Sequence, residues 1–456
     1  MTDHHDATAQ FEVHDPAILA QARKLLDEAD SPRQMAEEVI AAVNRNEAWR
    51  GRECVNLLAP EAPTTPMVRN LLSAEIGTRA AEGAIGKVNR WFAGTQYIDE
   101  VESLCVELLK LAFRCRYADH RLMGSMLGNM AVYQALTQPG DTIMSVAQPF
   151  GGHSSNRIDG PAGMRGLNIV DVPFDAHELN VDVDAFREVA RKVQPKVVTV
   201  GMSMTLFPYP VHEMADILAQ WGGRLFFDGA HQAGLIAGGQ FQDPLGEGAA
   251  VLSGSAGKTF AGPQSGMLVW NDPDLTQPLT DAVFPVLAAT HQVNRVAALA
   301  VAAAEMLAFG ERFMAAIVAN AQALAAALDR EGIPMLGAHK GYTRTHQAIA
   351  DVRKFGGGMG VAHMLARANL ITNKNLLPDD KPADWDRPSG LRMGTIEVTR
   401  LGMGVAEMAQ IAAYIARVLV KGEAPETIQP EVVEFRRPFQ TLYYSFEAGF
   451  PPGQRG

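Results

Sequence analysis

The sequence predicts an α/β fold in which a mostly parallel sheet lies between helices. Short apolar runs alternate with amphipathic helical segments between about residues 54 and 270. This alternation is typical of a parallel sheet that is covered on both faces. A long alanine-rich helical segment follows, and strand and helix patterns return after it. We therefore expect a large domain built on the parallel sheet and a smaller C-terminal α/β domain.

The chain has 456 residues, which is enough for about two or three domains. We predict an N-terminal helical arm over residues 1–50, a large domain over residues 51–300, and a small C-terminal domain with a tail over residues 301–456. The arm carries apolar positions at helical spacing from Pro16 to about Asn46, and the pair Ser31-Pro32 divides them into two helices.

The strands predicted for the large domain are short apolar runs bounded by turn residues. They are TIMSVA, LNIVDV, KVVTVGM, RLFFDG, AAVLSG and GMLVW, with helices DVDAFREVARKV and VHEMADILAQW among them. A long helix from about residue 295 to 331 leads to strands near THQAIADV and GLRMG and a helix near MAQIAAYIARVLV. We expect the aromatic tail to lie over the body of the protein or over a partner subunit.

Composition excludes several classes of function. The net charge of −11 argues against nucleic acid as a partner, since phosphate-backbone binding needs clustered Lys and Arg. Cys54, Cys105 and Cys115 lack metal or disulfide spacing, so we interpret them as packed thiols in a reducing compartment. The terminus lacks the pattern of a signal peptide, and no membrane-spanning run is evident. We expect a cytoplasmic enzyme without a metal site, in which the terminal residues His4, His5 and His14 are merely solvated.

Polar residues follow the predicted strands, where a parallel sheet binds its ligands. Residues 148–153 follow TIMSVA, Ser203 follows KVVTVGM, and Lys258 follows AAVLSG. Asp228 and His231 follow the apolar run of RLFFDG. These side chains should therefore meet at one edge of the sheet.

Lys258 lies in GSAGKTFAGPQ, whose Gly-Lys-Thr resembles a nucleotide phosphate loop. That loop needs a glycine five positions before the Gly-Lys pair, where Leu252 stands. Asp228 ends a buried strand, and a buried carboxylate needs a cationic partner. An acid and a lysine at neighbouring strand ends together suggest pyridoxal phosphate, in which the lysine forms a Schiff base and the acid keeps the ring nitrogen protonated. A nucleotide-dependent ATPase is the least favoured alternative.

With this lysine and acid in place, the chain resembles the serine hydroxymethyltransferase family, within fold-type I of the pyridoxal phosphate enzymes. The resemblance runs from about Asn56 to Met403. Its motifs are NLLAPEAPTTP, AAEGAIGK, WFAGTQYIDEVE, GSMLGNMAVYQAL, FGGHSS, FFDGAHQAGLIAGG, SGSAGKTFAGPQSG, ANLITNKNLLPDD and SGLRMGTIEVTRLGM. The order and spacing of these motifs carry the identification.

The resemblance implies a cofactor-binding set. Lys258 would be the Schiff-base lysine, Asp228 the partner of the pyridinium nitrogen, and His231 a neighbour of the ring and substrate. Gly124 and Ser125, at a helix start, would bind the phosphate. The remaining implied contacts are Phe150 on the ring face, Ser203 at the phenolic oxygen, and Ser255 near the phosphate or lysine.

The resemblance also implies the substrate contacts. Arg392 would clamp the amino-acid carboxylate through its planar fork. Glu82 would move the hydroxyl proton as the Cα–Cβ bond of a β-hydroxy amino acid breaks or forms through a glycine carbanion. Asn375, in TNKNLLPDD, matches the position that contacts the pterin, although a tight loop built by turn chemistry explains that segment equally well. The family also implies a homodimer with shared sites, in which Glu82 and Trp91 come from the neighbour.

Several positions in the site depart from the family's pattern. At eleven positions this chain lacks the polar residue or glycine that the family has. The residues found here are Pro60, Ala62, Ala80, Trp91, Phe92, Phe150, Gly257, Gln264, Ala288, Ala289 and Thr290. These changes weaken the expectation of serine and tetrahydrofolate as the substrates. They leave Lys258, Asp228 and Arg392 intact.

We therefore predict a hydroxymethyltransferase-like enzyme of amino-acid and one-carbon metabolism that uses pyridoxal phosphate, with tetrahydrofolate left open. The first alternative is a threonine aldolase or transaldolase that takes an aldehyde without folate, favoured by the segments KGYTRTHQ, GTIEVTRLGM and LYYSFEAG. A non-catalytic relative that binds the cofactor is the alternative of another class.

Overall fold

The computed structural model describes residues 14–86 and 90–453. The chain divides into two compact units, with the boundary between residues 54 and 55. The first unit contains α1 (Pro16–Asp27), α2 (Pro32–Ala48) and a π-helical segment, Trp49–Glu53. Asp15 and Ser31 cap the two helices through their side chains. The two helices and the break between them are confirmed. His4 and His5 lie outside the described residues.

The second unit contains most of the chain's regular structure. Its strands are β1 Val55–Asn56, β2 Tyr117–Asp119, β3 Thr142–Ser145, β4 Asn168–Asp171, β5 Phe174–Asp175, β6 Asn180–Val181, β7 Val197–Val200, β8 Arg224–Asp228, β9 Val251–Ser255, β10 Gly266–Trp270, β11 Gln347–Asp351, β12 Leu370–Ile371, β13 Asn373–Asn375 and β14 Gly390–Gly394. Its helices are α3 Pro66–Leu71, α4 Gln96–Phe113, α5 Ser125–Leu136, α6 Pro161–Met164, α7 Val183–Val193, α8 Val211–Ala219, α9 Ala233–Ala237, α10 Thr276–Asp281, α11 Val293–Arg330, α12 Gly357–Arg367, α13 Ile396–Arg400, α14 Val405–Leu419 and α15 Pro425–Arg436.

A seven-stranded sheet forms the centre of this unit, in the order β2-β10-β9-β8-β7-β3-β4. Strands β9, β8, β7, β3 and β4 are parallel to one another, and β10 runs antiparallel to both β9 and β2. Every residue of β7, β9 and β10 is buried, as expected for strands covered on both faces. The predicted mostly parallel sheet and its six strands are confirmed. Strand β2 was not predicted, because its three residues carry no apolar run.

A smaller antiparallel sheet, β11-β14-β13, lies in the C-terminal part of the chain. Helix α11 leads to it and packs against α4 and α14. By length and composition α11 could cross a membrane, but 56% of its most apolar window is buried in the fold, as in a core helix. The helix also runs through residue 300 without a break, so the domain boundary there stays a prediction.

The C-terminal tail lies over the body of the protein. Tyr444 stacks on Phe313 of α11 with ring centroids 4.7 Å apart, and the backbone N–H of Tyr443 donates to the carbonyl of Arg400 over 2.8 Å. The three cysteines are buried and form no disulfide bond, as predicted for packed thiols.

Candidate active site

A cavity of about 570 Å³ lies at the carboxyl ends of the central strands, and residues of the small sheet line it as well. Its wall contains five of the predicted site residues, namely Ser203, His231, Lys258, Asn375 and Arg392. Its other lining residues are Pro60, Gln148, Gly151, Gly152, His153, Ser154, Asp159, Lys374, Leu376, Asn373, Pro382 and Trp385. Residues from both sheets therefore meet at the edge that the strand pattern indicated.

Lys258 follows β9 in a turn in which the backbone N–H of Gly262 donates to the carbonyl of Ala256 over 2.7 Å. Burial lowers the pKa of the Lys258 amine from 10.5 to about 8, and Asp228 opposes the shift while Arg392 adds to it. A substantial share of this amine is therefore neutral, and so nucleophilic, at mildly alkaline pH.

Two of the departures from the family pattern lie against each other beside Lys258. A Cβ atom placed on Gly257 would lie 2.6 Å from the side-chain amide of Gln264. The glutamine side chain thus occupies the space next to the glycine. Because real Cβ contacts are never that short, we expect a larger residue at position 257 to displace Gln264.

Asp228 ends β8 as an almost fully buried carboxylate, with 3% of its surface exposed. Its Oδ2 accepts hydrogen bonds from Asn129 Nδ2 over 2.7 Å and from Asn156 Nδ2 over 3.0 Å. Ser253 in turn donates to Asn129 Oδ1, and Tyr133 donates to Asn156 Oδ1. This network fixes the carboxylate in one orientation. Sequence reasoning missed both asparagines, although Asn129 lies in the motif GSMLGNMAVYQAL and Asn156 directly follows FGGHSS.

His231 is paired with a second buried histidine. His231 Nδ1 lies 3.2 Å from His346 Nε2, and the two rings stack with centroids 5.4 Å apart. Burial lowers the pKa of both rings, that of His346 to about 3, and the nearby charges of Lys258 and Arg392 add to both shifts. Both imidazoles are therefore neutral near pH 7. His346 was not predicted as a site residue, although it lies in the segments KGYTRTHQ and THQAIADV.

Arg392 lies on β14 with 8% of its surface exposed. Its Nη1 donates to the carbonyl of Ser203 over 2.7 Å and its Nε to Asn373 Oδ1 over 3.3 Å. Burial lowers its pKa to about 10, so the guanidinium remains charged at neutral pH. Burial is the only cause of this shift, so within the described residues no nearby carboxylate raises the pKa of Arg392 again. A buried cation of this kind is prepared for an anionic ligand.

Gly124 and Ser125 lie at the start of α5 and are not among the described residues that line the cavity. No side chain caps this helix, and a Cβ atom on Gly124 would meet nothing within 4 Å. The free N–H groups of the first turn and the open space beside them suit an anion. Ser255 is buried at the end of β9, close to the lysine turn.

The structure places His153, and not Phe150, in the cavity wall. The ring of Phe150 packs on Phe174 with centroids 4.9 Å apart. The chain turns at Gly151 and Gly152, where a Cβ atom would collide with backbone, and this turn brings His153 to the cavity. Of these two neighbouring side chains, His153 is therefore the one that faces the cavity, and the contact expected for Phe150 stays a prediction.

Glu82 is also absent from the wall of this chain's own cavity. Its carboxylate accepts a hydrogen bond from Thr290 Oγ1 over 2.8 Å, and its carbonyl accepts one from the backbone N–H of Trp91. Trp91 and Phe92 are exposed to 63% and 43%. Glu82 thus lies beside an exposed aromatic surface.

The arrangement fits pyridoxal phosphate. The cavity offers a buried amine with a depressed pKa, and a fixed carboxylate lies close enough to influence that amine. It also offers an unpaired guanidinium for a substrate carboxylate, and an uncapped helix start offers N–H groups for a phosphate. These are the groups that hold this cofactor and an amino acid.

Comparison with known proteins agrees with the site. The family model described as serine hydroxymethyltransferase matches residues 33–415. The serine hydroxymethyltransferase of Methanopyrus kandleri is 44% identical, over 90% of this chain and 95% of that protein. That of Thermococcus kodakarensis is 41% identical, over 93% and 99%. The solved L-threonine transaldolase of Pseudomonas fluorescens is 24% identical and shares the fold, with a TM-score of 0.81 over 94% of this chain and 96% of that one.

Proposed function

The chain belongs to the serine hydroxymethyltransferase family, and from this premise we propose that it takes the side-chain carbon of serine and passes it to a tetrahydrofolate-type carrier. It is a pyridoxal phosphate-dependent enzyme that makes or breaks the Cα–Cβ bond of a β-hydroxy amino acid. The observation that carries the proposal is the single cavity wall shared by Lys258, His231, Arg392 and Asn375.

Five residues would hold the cofactor. Pyridoxal phosphate supplies, when bound, an electron sink for the negative charge left on Cα. Lys258 would hold it covalently through its neutral amine, and Asp228, fixed by two asparagines, would keep a proton on the ring nitrogen. The N–H groups at Gly124 and Ser125 would bind the phosphate. His153 would lie against the ring, in the place first expected for Phe150.

The substrate would be held by Arg392 and acted on by Glu82. The Ser203 carbonyl and Asn373 orient the guanidinium, which leaves its remaining N–H groups for the amino-acid carboxylate. Glu82 would accept the proton from the β-hydroxyl as the bond breaks, and return it in the reverse direction. The neutral His231 would pack beside the reacting atoms without adding charge.

We propose a homodimer in which Glu82 acts in the site of the partner. Glu82 lies outside its own cavity, and its backbone carbonyl accepts a hydrogen bond from the exposed Trp91. The next residue, Phe92, is exposed as well. Large exposed aromatic side chains of this kind are typical of an interaction surface.

Mixed dimers test the shared site. Lys258→Ala and Glu82→Gln chains should each be inactive alone. Random co-assembly should restore about a quarter of the wild-type activity, because half of the two-fold symmetric dimers then hold one intact site. No recovery, or full activity in a monomer, would refute the sharing.

The choice of acceptor depends on the mouth of the cavity. Trp385 is 52% exposed, and Lys374 lies over its ring at 5.0 Å. A flat aromatic surface beside Asn375 supports a stacked pterin. A second candidate, aldehyde transfer without folate, is favoured by Pro60, which makes the wall apolar where the family has a serine.

Glycine formation separates the two acceptors. Purified enzyme is incubated with L-serine, with and without tetrahydrofolate, and in parallel with L-threonine and an added aromatic aldehyde. We expect folate-dependent glycine from serine. Exchange of the aldehyde part of threonine, without any effect of folate, would establish the second candidate.

We also propose a cytoplasmic location, supported by three buried cysteines that form no disulfide bond. The arm over residues 1–50 and the division of the remaining chain at residue 300 are kept as proposals.

A further inference from the structure

A second group of ionisable side chains lies outside the cavity, between α4, the loop after β2 and the loop before α11. It consists of Glu102, His120 and His291, and we call it the buried triad. The three side chains are 0%, 3% and 3% exposed. One ligand atom from each lies within 4.8 Å of the other two.

The two histidines point at the same carboxylate oxygen. His120 Nε2 lies 3.0 Å from Glu102 Oε1, and His291 Nε2 contacts that oxygen even more closely. Two nitrogens and one oxygen from three separate elements thus converge on one small volume. Two histidines and one carboxylate are a set that binds zinc, with a fourth position left for water.

The guanidinium nearest the triad is shared between two carboxylates. Arg90 donates to the other oxygen of Glu102, Oε2, and also pairs with Asp99 over 2.7 Å. Glu102 Oε1 therefore stays directed at the histidines. His120 Nδ1 is buried and has no hydrogen-bond partner within the described part of the chain. A metal held at Nε2 would leave the proton of the neutral ring on Nδ1.

We propose that the buried triad of Glu102, His120 and His291 binds one divalent transition-metal ion, for which zinc is the best match. We expect the ion to support the fold and not the reaction, because the triad is buried and lies apart from the cavity that contains Lys258. A second trio, His177, Glu178 and His339, is exposed, and Lys340 already pairs with its glutamate. It serves as the comparison.

The position of the triad links the metal to the segment that carries Glu82. His291 directly follows Thr290, whose hydroxyl donates to the Glu82 carboxylate. Arg90 donates to the carbonyl of Gly83 over 3.1 Å. A metal held by the triad would therefore fix both sides of the Glu82 segment.

The test uses the holoenzyme and zinc itself. Protein is incubated with zinc chloride, desalted and analysed for metal. We expect about one zinc per chain, retained in His177→Gln/His339→Gln and lost in His120→Gln and in His291→Gln, since three protein ligands are needed. The visible absorbance of the bound cofactor reports whether each variant is folded.

Crystals of the wild-type holoenzyme give a measurement that needs no variant. Anomalous scattering at the zinc edge should show a peak about 2.0–2.1 Å from both Nε2 atoms. A wild type that retains no zinc, a peak at the exposed trio, or zinc that survives His120→Gln and His291→Gln in folded protein would each overturn the proposal.

Discussion

Replacing Lys258 by methionine should stabilise the protein without cofactor at neutral pH. The buried amine is charged below its pKa of about 8, and burial of that charge destabilises the folded state. Methionine has a similar length and no charge, so it removes the cost. Sites of function commonly carry such a cost in stability.

The magnitude follows from the pKa. The fall from 10.5 to about 8 corresponds to roughly 3 kcal/mol, because one pKa unit is worth about 1.4 kcal/mol. Below pH 8 the lysine is charged in both states, so the folded state bears the full cost. Between pH 8 and 10.5 the unfolded chain binds more protons than the folded one, and the stability of the wild type rises relative to the variant. Above pH 10.5 the difference is gone.

Urea unfolding of the cofactor-free wild type and of Lys258→Met, at several pH values from 7 to 10.5, measures this difference. The advantage of the variant should shrink by roughly 3 kcal/mol across the range, while Lys192→Met, at an exposed helix position, should give a constant difference. A Lys258→Met difference that does not change with pH would refute the depressed pKa.

Three further predictions concern the site and the core. Arg392→Lys should raise KM for the amino acid by roughly tenfold or more, since a charged hydrogen bond is worth about 1.5–3 kcal/mol; an unchanged KM would exclude the carboxylate clamp. Glu82→Gln should lower kcat by about 10²–10⁴-fold with glycine binding intact, and a smaller loss would exclude proton transfer by Glu82. Glu305→Ala leaves the buried Arg400, now 2.9 Å from Glu305, without its ion-pair partner, and should cost about 3–5 kcal/mol in urea unfolding; an unaffected midpoint would contradict this.

The local pattern of apolar residues was sufficient to predict the central sheet, because each of its predicted strands is a short apolar run. The parallel sheet then brings residues that follow different strands to one edge, and Ser203, His231 and Lys258 do meet there. Arg392 and Asn375 come from the small sheet, more than a hundred residues later. Only the family resemblance indicated them, since no local pattern relates the two sheets.

The contacts that sequence reasoning missed join residues distant along the chain. Asn129 and Asn156 fix Asp228, and His346 pairs with His231 across 115 positions. Within its own segment each of these three residues is a polar residue without a distinguishing pattern. Its function becomes visible only from the buried side chain that it contacts in the fold. The turn at Gly151 likewise decides that His153, and not Phe150, lies in the cavity wall, and no local pattern predicts that choice.

The central claim is that Lys258, with bound pyridoxal phosphate, enables this chain to break the Cα–Cβ bond of a β-hydroxy amino acid. Glycine release from L-serine, L-threonine and L-phenylserine, each with tetrahydrofolate and with an aldehyde, is measured for the wild type and for Lys258→Ala. We predict that the wild type carries visible cofactor absorbance and releases glycine from at least one donor, and that the folded variant loses both. A colourless wild type, or one that forms no glycine from any donor, would contradict the account.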